Sequence, residues 1–267
     1  MNPRAIILNA YVYAVLIFIL LPILVILPMA FSETTYLTFP PEGMTLRWFE
    51  DFFGNSRWMA ATWFSVKIAA LTAITTAVIG TMATYALVRG AKAMGTLFQA
   101  FLIGPIVVPH IALAVALYLF FQNTGLSGTV FGYVAAHSII AMPFTVFTVA
   151  AALSSVDPAL EDAAMSCGAN RFNAFRLVTL PIILPNVISG ALFAFIISFD
   201  EPVIAFFLAG IRDKTLPRMM FDDIEQNLTP IIPAIAVMLT LLSIVVLLAA
   251  GLLKYVANRN AARVEQS

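Results

Sequence analysis

The chain has 267 residues, 61% of them hydrophobic and 10% charged, with 14 bases and 14 acids that balance to a net charge of +0. Soluble domains carry about 25% charged residues, so this composition excludes a water-facing globule and indicates an integral membrane protein, while the neutral balance argues against a nucleic-acid binder. A single cysteine, Cys167, excludes an internal disulfide or a multi-cysteine metal site, and two histidines on different segments leave no HExxH-type site.

Six apolar runs are long enough to span a bilayer, each near or above the roughly 20 residues a helix needs. They cover residues 10–31, 60–88, 97–121, 129–153, 182–209 and 231–255. The first is too long for a signal-peptide core and has no clear small-residue cleavage site after it, so it is expected to be a retained span. An even number of spans places both termini on one side. Arg4, Arg89, Lys92, Arg171, Arg176, Lys254, Arg259 and Arg263 fall on that side, against Arg47, Arg57, Arg212, Lys214 and Arg218 opposite. The excess of bases predicts cytoplasmic termini. In the second run, Ala69, Ala73, Ala77 and Gly80 are spaced for close helix contact.

The third and fourth runs carry the two histidines. His110 follows Pro105 and Pro109, and His137 precedes Pro143. Their similar depth fits two readings, satisfied polar residues within a bundle or a pair lining a path. Tyr118 and Phe120 in the third run, with Phe206 and Phe207 in the fifth, offer rings either for cation–π contact or for ordinary packing.

Between runs four and five lies a polar segment, residues 154–181, with clear helix punctuation. Asp157 suits an N-cap and Pro158 the first helical position. Glu161 and Asp162 place negative charge in the first turns, which the helix dipole favours. Gly168 suits a left-handed helix end. A second short helix is predicted to present Phe172, Phe175 and Val178 until Pro181 and Pro185 lead into span five. Ala163, Ala164 and Ala169 remove bulk where a partner would approach. The plain alternative is an amphipathic hairpin on the membrane surface.

Asp200 and Glu201 are the acids inside a span, in the sequence SFDEPVIAFF. Ionisable groups there are costly and default to function; the alternative is a salt bridge, with Lys67 a candidate partner, or snorkelling. Pro202 removes a backbone donor, so a local break would turn both carboxylates toward one cavity. Glu201 continues the small-residue stripe of Gly190, Ala194 and Ser198, which gives it a slight preference over Asp200. Paired carboxylates in a low-dielectric setting suit a small organic cation.

The segment EDAAMSCGANRFNAFRLVTLPIILP resembles the cytoplasmic coupling-helix motif of ATP-binding-cassette importer permeases, with Asp162 where that motif has Glu. The resemblance covers the whole chain and implies one all-α transmembrane permease domain over residues 1–267, with six transmembrane helices of the type I importer kind. Glu161, Asp162, Ala163, Ala164, Gly168, Ala169, Phe172, Phe175 and Pro181 would then form the ATPase-coupling segment. The FDE stretch is similar to the spermidine/putrescine branch, which makes Asp200, Glu201, His110, His137, Tyr118 and Phe120 candidates for the substrate path; His110 stands where some polyamine permeases have an acid.

The resemblance further implies a bacterial inner-membrane location, a heterodimer with a sister permease, two copies of an ATPase subunit and an external substrate-binding protein. A homodimer stays open on sequence. No cofactor is expected on this chain. It has no GxxxxGK[ST] phosphate cradle and no soluble domain of nucleotide-binding size, so ATP and Mg would be used by the ATPase partner. Alternative cargoes are amino-acid-like or opine-like compounds, thiamine and ferric iron. A non-transporting membrane scaffold that docks an ATPase is the alternative of a different class.

Overall fold

The computed structural model describes residues 3–90, 92–208, 210, 213–226 and 229–245. Arg212, Lys254, Arg259, Arg263 and the last part of the sixth predicted span lie outside the described residues. Among the described residues all regular structure is helical, as the composition requires, because a segment in lipid must satisfy its own backbone polar groups. In chain order the helices are α1 (Pro3–Met29), α2 (Arg47–Gly54), α3 (Ser56–Arg89), α4 (Lys92–Ile103), α5 (His110–Thr124), α6 (Val130–Ser155), α7 (Ala159–Ser166), α8 (Arg171–Ala174), α9 (Leu180–Phe199), α10 (Val203–Leu208) and α11 (Leu216–Gln226). The last is α12 (Ile231–Val245).

Among the described residues four stretches are long and apolar enough to cross a membrane: Ile7–Met29, Ser56–Arg89, Val130–Ser155 and Arg171–Phe199. The third predicted run is not one straight helix. It is a pair, Leu97–Ile106 and His110–Thr124, bent by 105°. The cause is local: Pro105 and Pro109 each remove a backbone donor and crowd the preceding turn, and a 3₁₀ turn over Gly104–Ile106 fills the gap.

The chain divides into two compact units, Met1–Met59 with Asp222–Ser267, and Ala60–Phe221. In the first unit α1 is apolar all round and solvent-exposed along the spanning window, the pattern of a helix that faces lipid. Amphipathic α2 buries Trp48 and Phe52, one helical turn apart. The Trp48 indole N–H donates to the Ser32 carbonyl at 2.7 Å, and Phe52 meets Trp58 at 6.2 Å between ring centres.

In the second unit α6 is the central element, flanked by α3 and α9. At Gly80 of α3 an added Cβ would lie 3.0 Å from Thr145 of α6, and at Gly190 of α9 it would lie 3.1 Å from the Thr145 Cα. Small residues let backbones approach where lipid supplies no hydrophobic drive between helices. The small-residue stripe of α3 is therefore spent on internal packing. One apolar core of this unit joins Ile68, Leu117, Phe121, Tyr133, Ile140 and Leu208. Another joins Leu153, Val156, Phe175, Ile183 and Val187.

Candidate functional site

Helix α7 and the start of α9 form the first site. The Asp157 carboxylate accepts from the Ala159 N–H at 2.9 Å, the capping the sequence suggests. At the other end Gly168 has φ +94°. The Ala169 N–H reaches the Ala164 carbonyl at 3.1 Å and the Gly168 N–H the Met165 carbonyl at 2.9 Å, which is a Schellman end.

The second short helix does not stop at Pro181. Residues Arg171–Phe199 run on as one span through a π turn over Phe175–Thr179, where the Leu180 N–H bonds the Phe175 carbonyl. A π turn is wider than an α turn and accommodates Pro181 without a break.

Two of the expected coupling residues face inward. Phe175 is buried against the Tyr85 ring, 4.6 Å between centres. Glu161 is 8% exposed. Its carboxylate accepts from Tyr85 Oη at 2.6 Å, Arg89 Nε at 3.3 Å and Thr179 Oγ1 at 2.7 Å. Arg89 Nη2 also donates to the Val156 carbonyl at 2.8 Å. Burial pushes the Glu161 pKa up, but the hydrogen bonds from Tyr85 and Thr179 and the Arg89 guanidinium outweigh it and hold the carboxyl below the usual carboxylate range. Asp162, Ala163, Gly168, Phe172 and Pro181 are exposed, and Ala164 and Ala169 half-buried. The outward face of this segment thus combines small residues and the Phe172 ring with the carboxylates of Asp157 and Asp162 and the bases Arg171 and Arg176.

Sequence reasoning missed Tyr85, Arg89 and Thr179. Tyr85 and Arg89 are four residues apart on one helix face, a signal that was present; their pairing with a carboxylate more than seventy residues on has no local signature.

The second site is the break after α9. Asp200 ends α9 and α10 begins at Val203, so the interruption expected at Pro202 is there. The two acids are used differently. Glu201 is 6% exposed and folds back as a cap, accepting from the Val203 N–H at 2.8 Å and the Ile204 N–H at 2.9 Å. The stripe it continues, Gly190, Ala194 and Ser198, is buried because it is a helix-packing face. Asp200 is exposed, and its carboxylate has no hydrogen-bond or ion-pair partner among the described residues. The acid that the sequence slightly preferred, Glu201, is thus the one already engaged, and Asp200 the one left open. Lys67 is exposed and makes no ion pair with either acid among the described residues.

The histidines separate as well. His110 is exposed at the first position of α5. His137 is fully buried, with Nδ1 3.1 Å from the Ser198 carbonyl and 2.8 Å from its Oγ; Ser198 Oγ in turn donates to Thr72 Oγ1 at 3.3 Å. Tyr118 is half-buried, accepts from Gln122 at 3.0 Å and lies 6.4 Å from Phe207. Phe120 is exposed. The Arg218 guanidinium sits 3.9 Å from the Phe206 ring centre, so one aromatic face is already taken by a cation of this chain. Among the described residues no three or more His, Cys, Asp or Glu gather into a possible metal site.

A family model described as "Binding-protein-dependent transport system inner membrane component" matches residues 96–262. The chain belongs to this family. It is a multi-pass inner-membrane permease component, and not the ATP-hydrolysing subunit. The permease is 29% identical to "Spermidine/putrescine transport system permease protein PotC" of Haemophilus influenzae, over 88% of this chain and 91% of the relative. It is 30% identical to "Putrescine transport system permease protein PotI" of Escherichia coli K12, over 93% of this chain and 88% of the relative. Among solved structures, a bacterial ABC transporter involved in the import of alginate shares the fold, with a TM-score of 0.70 at 16% identity, covering 94% of the permease and 97% of that chain.

Proposed function

We propose that the permease forms half of the translocation path of an ATP-driven importer for a small organic cation, putrescine or spermidine. The observation that carries this reading is the exposed Asp200 carboxylate, left without a partner at a break in a span. An ionisable group at such a depth is costly and is retained where something uses it. A cationic cargo supplies the charge and the N–H donors that Asp200 lacks. The two relatives whose names include putrescine support the same cargo. A third relative, "Molybdate/tungstate transport system permease protein WtpB" of Pyrococcus abyssi, is 30% identical over 59% of this chain, but an oxyanion would be repelled by that carboxylate.

In this reading both termini are cytoplasmic, and the outward face of α7 with Phe172 docks on an ATPase subunit. Two ATPase copies use ATP and Mg, a sister permease completes the pore, and an external binding protein delivers cargo. Nucleotide-driven closure of the ATPases moves the docked segments and switches the path between its two openings.

The test is reconstitution of the assembled complex in proteoliposomes with its binding protein and internal or external ATP as orientation requires. Labelled putrescine should accumulate in an ATP-dependent way, and excess spermidine should compete. Transport of a neutral or anionic solute in preference to both polyamines would reject the reading.

A further inference from the structure

We infer that Glu161 is a force-transmitting positioning residue that ties the docking segment to three membrane helices at once. The inference rests on the proposed ATPase docking and assigns a role inside it that the docking surface itself does not have. One carboxylate on α7 holds Tyr85 and Arg89 at the end of α3 and Thr179 at the start of the fifth span. Through Arg89 it also reaches the Val156 carbonyl, at the end of α6.

Each bond on its own would only tether the segment. Three donors arriving from two helices fix the carboxylate in position and direction, and bidentate or charge-assisted geometry of this kind is the strong form of the hydrogen bond. Phe175 packed on Tyr85 closes the same junction with apolar contact. A displacement applied to α7 is therefore delivered to the ends of α3, α6 and α9 together, without first taking up slack in a loop. Glu161 makes no outward contact that would explain its burial by docking.

The deciding variant is Glu161→Asp, which keeps the charge but shortens the arm by one methylene, so it cannot reach both helices. Tyr85→Phe, which removes one donor and keeps the ring against Phe175, is the second variant. Both are assembled with the ATPase, the sister permease and the binding protein in proteoliposomes, and putrescine uptake and ATP hydrolysis are measured together. Co-purification of the ATPase should be retained. ATP hydrolysed per putrescine should rise by at least threefold in Glu161→Asp and by a smaller factor in Tyr85→Phe.

An unchanged ratio in both variants would overturn the inference. So would loss of the ATPase from either, since that would make Glu161 part of the docking surface. Failure of docking itself shows differently: Asp162→Ala with Phe172→Ala would keep the ATPase bound although the outward face is altered.

Discussion

A carboxylate lies against each end of the fifth span, Glu161 of α7 bonded to Thr179 at one end and Asp200 at the break at the other, and the two are provisioned in opposite ways. On the short helix before the span Glu161 has donors from Tyr85, Arg89 and Thr179. At the far break Asp200 has none among the described residues, although its neighbour Glu201 is satisfied by two backbone N–H groups. The neighbours Asp200 and Glu201 share one apolar stretch, so hydropathy does not separate them; partners do. A carboxylate held by three donors serves the architecture, and one left without a partner in a costly place is the one proposed above to meet the cargo.

The largest expected effect comes from removing the unengaged charge. Asp200→Asn should lower polyamine uptake by about tenfold or more, since a hydrogen bond to a charged group contributes about 1.5–3 kcal/mol. Glu201→Gln keeps an oxygen that accepts from Val203 and Ile204, so its uptake should stay near normal. Initial rates of putrescine uptake, corrected for the amount of permease in the membrane, decide this. Equal losses in the two variants would erase the distinction between the acids.

The next effect is expected on folding stability, not on uptake, and comes from the engaged carboxylate. Glu161→Ala leaves Arg89 part-buried beside an empty position, a change that costs about 3 kcal/mol when a buried pair is broken. Because the Glu161 carboxyl is held below its usual range, its contribution is fully present above the unfolded value of about 4.3 and is lost as pH falls through the lowered value. Thermal unfolding of purified wild type and Glu161→Gln should therefore differ at neutral pH and begin to converge only once pH falls below the ordinary glutamate value of about 4.3. Convergence already at pH 6 would mean that the carboxylate gains nothing from its partners.

The smallest effect belongs to the helix end. Nothing lies within 4 Å of a Cβ built at Gly168, but its φ is +94°. Gly168→Ala should cost about 1–2 kcal/mol through backbone strain alone. Denaturant unfolding should show this loss, with the ATPase still bound. A larger loss, or release of the ATPase, would show that the position contributes more than its backbone angle.

Much of the bundle was legible because lipid leaves so few options. The runs at 60–88 and 129–153 match helices that cross with room to spare, and Asp157 and Gly168 marked the ends of α7 by their chemistry. The bend after Gly104 was written in Pro105 and Pro109, yet hydropathy averages over such a break and registers one run. The continuation past Pro181 was illegible for the converse reason. Proline normally ends a helix, and only the π turn ahead of it shows otherwise.

At the candidate sites the residue types were legible and their directions were not. Asp200 and Glu201 differ by about 100° around a regular helix, but once the helix breaks the angle no longer predicts the neighbours. Glu161 and Asp162 present the same ambiguity on α7. One was destined for a tyrosine and an arginine far away in the chain, and the other for the surface.

The π turn at Phe175–Thr179 has a consequence for how this chain tolerates change in length. It carries one residue more than an α-helical path over the same rise would need, which works as a vernier between the docking segment and the span. Deleting a single residue there would let the helix close up without interruption, yet swing everything before it by about 100°. The face now turned outward would be carried round toward the bundle, and a chain still able to insert and fold would offer the proposed ATPase a different surface.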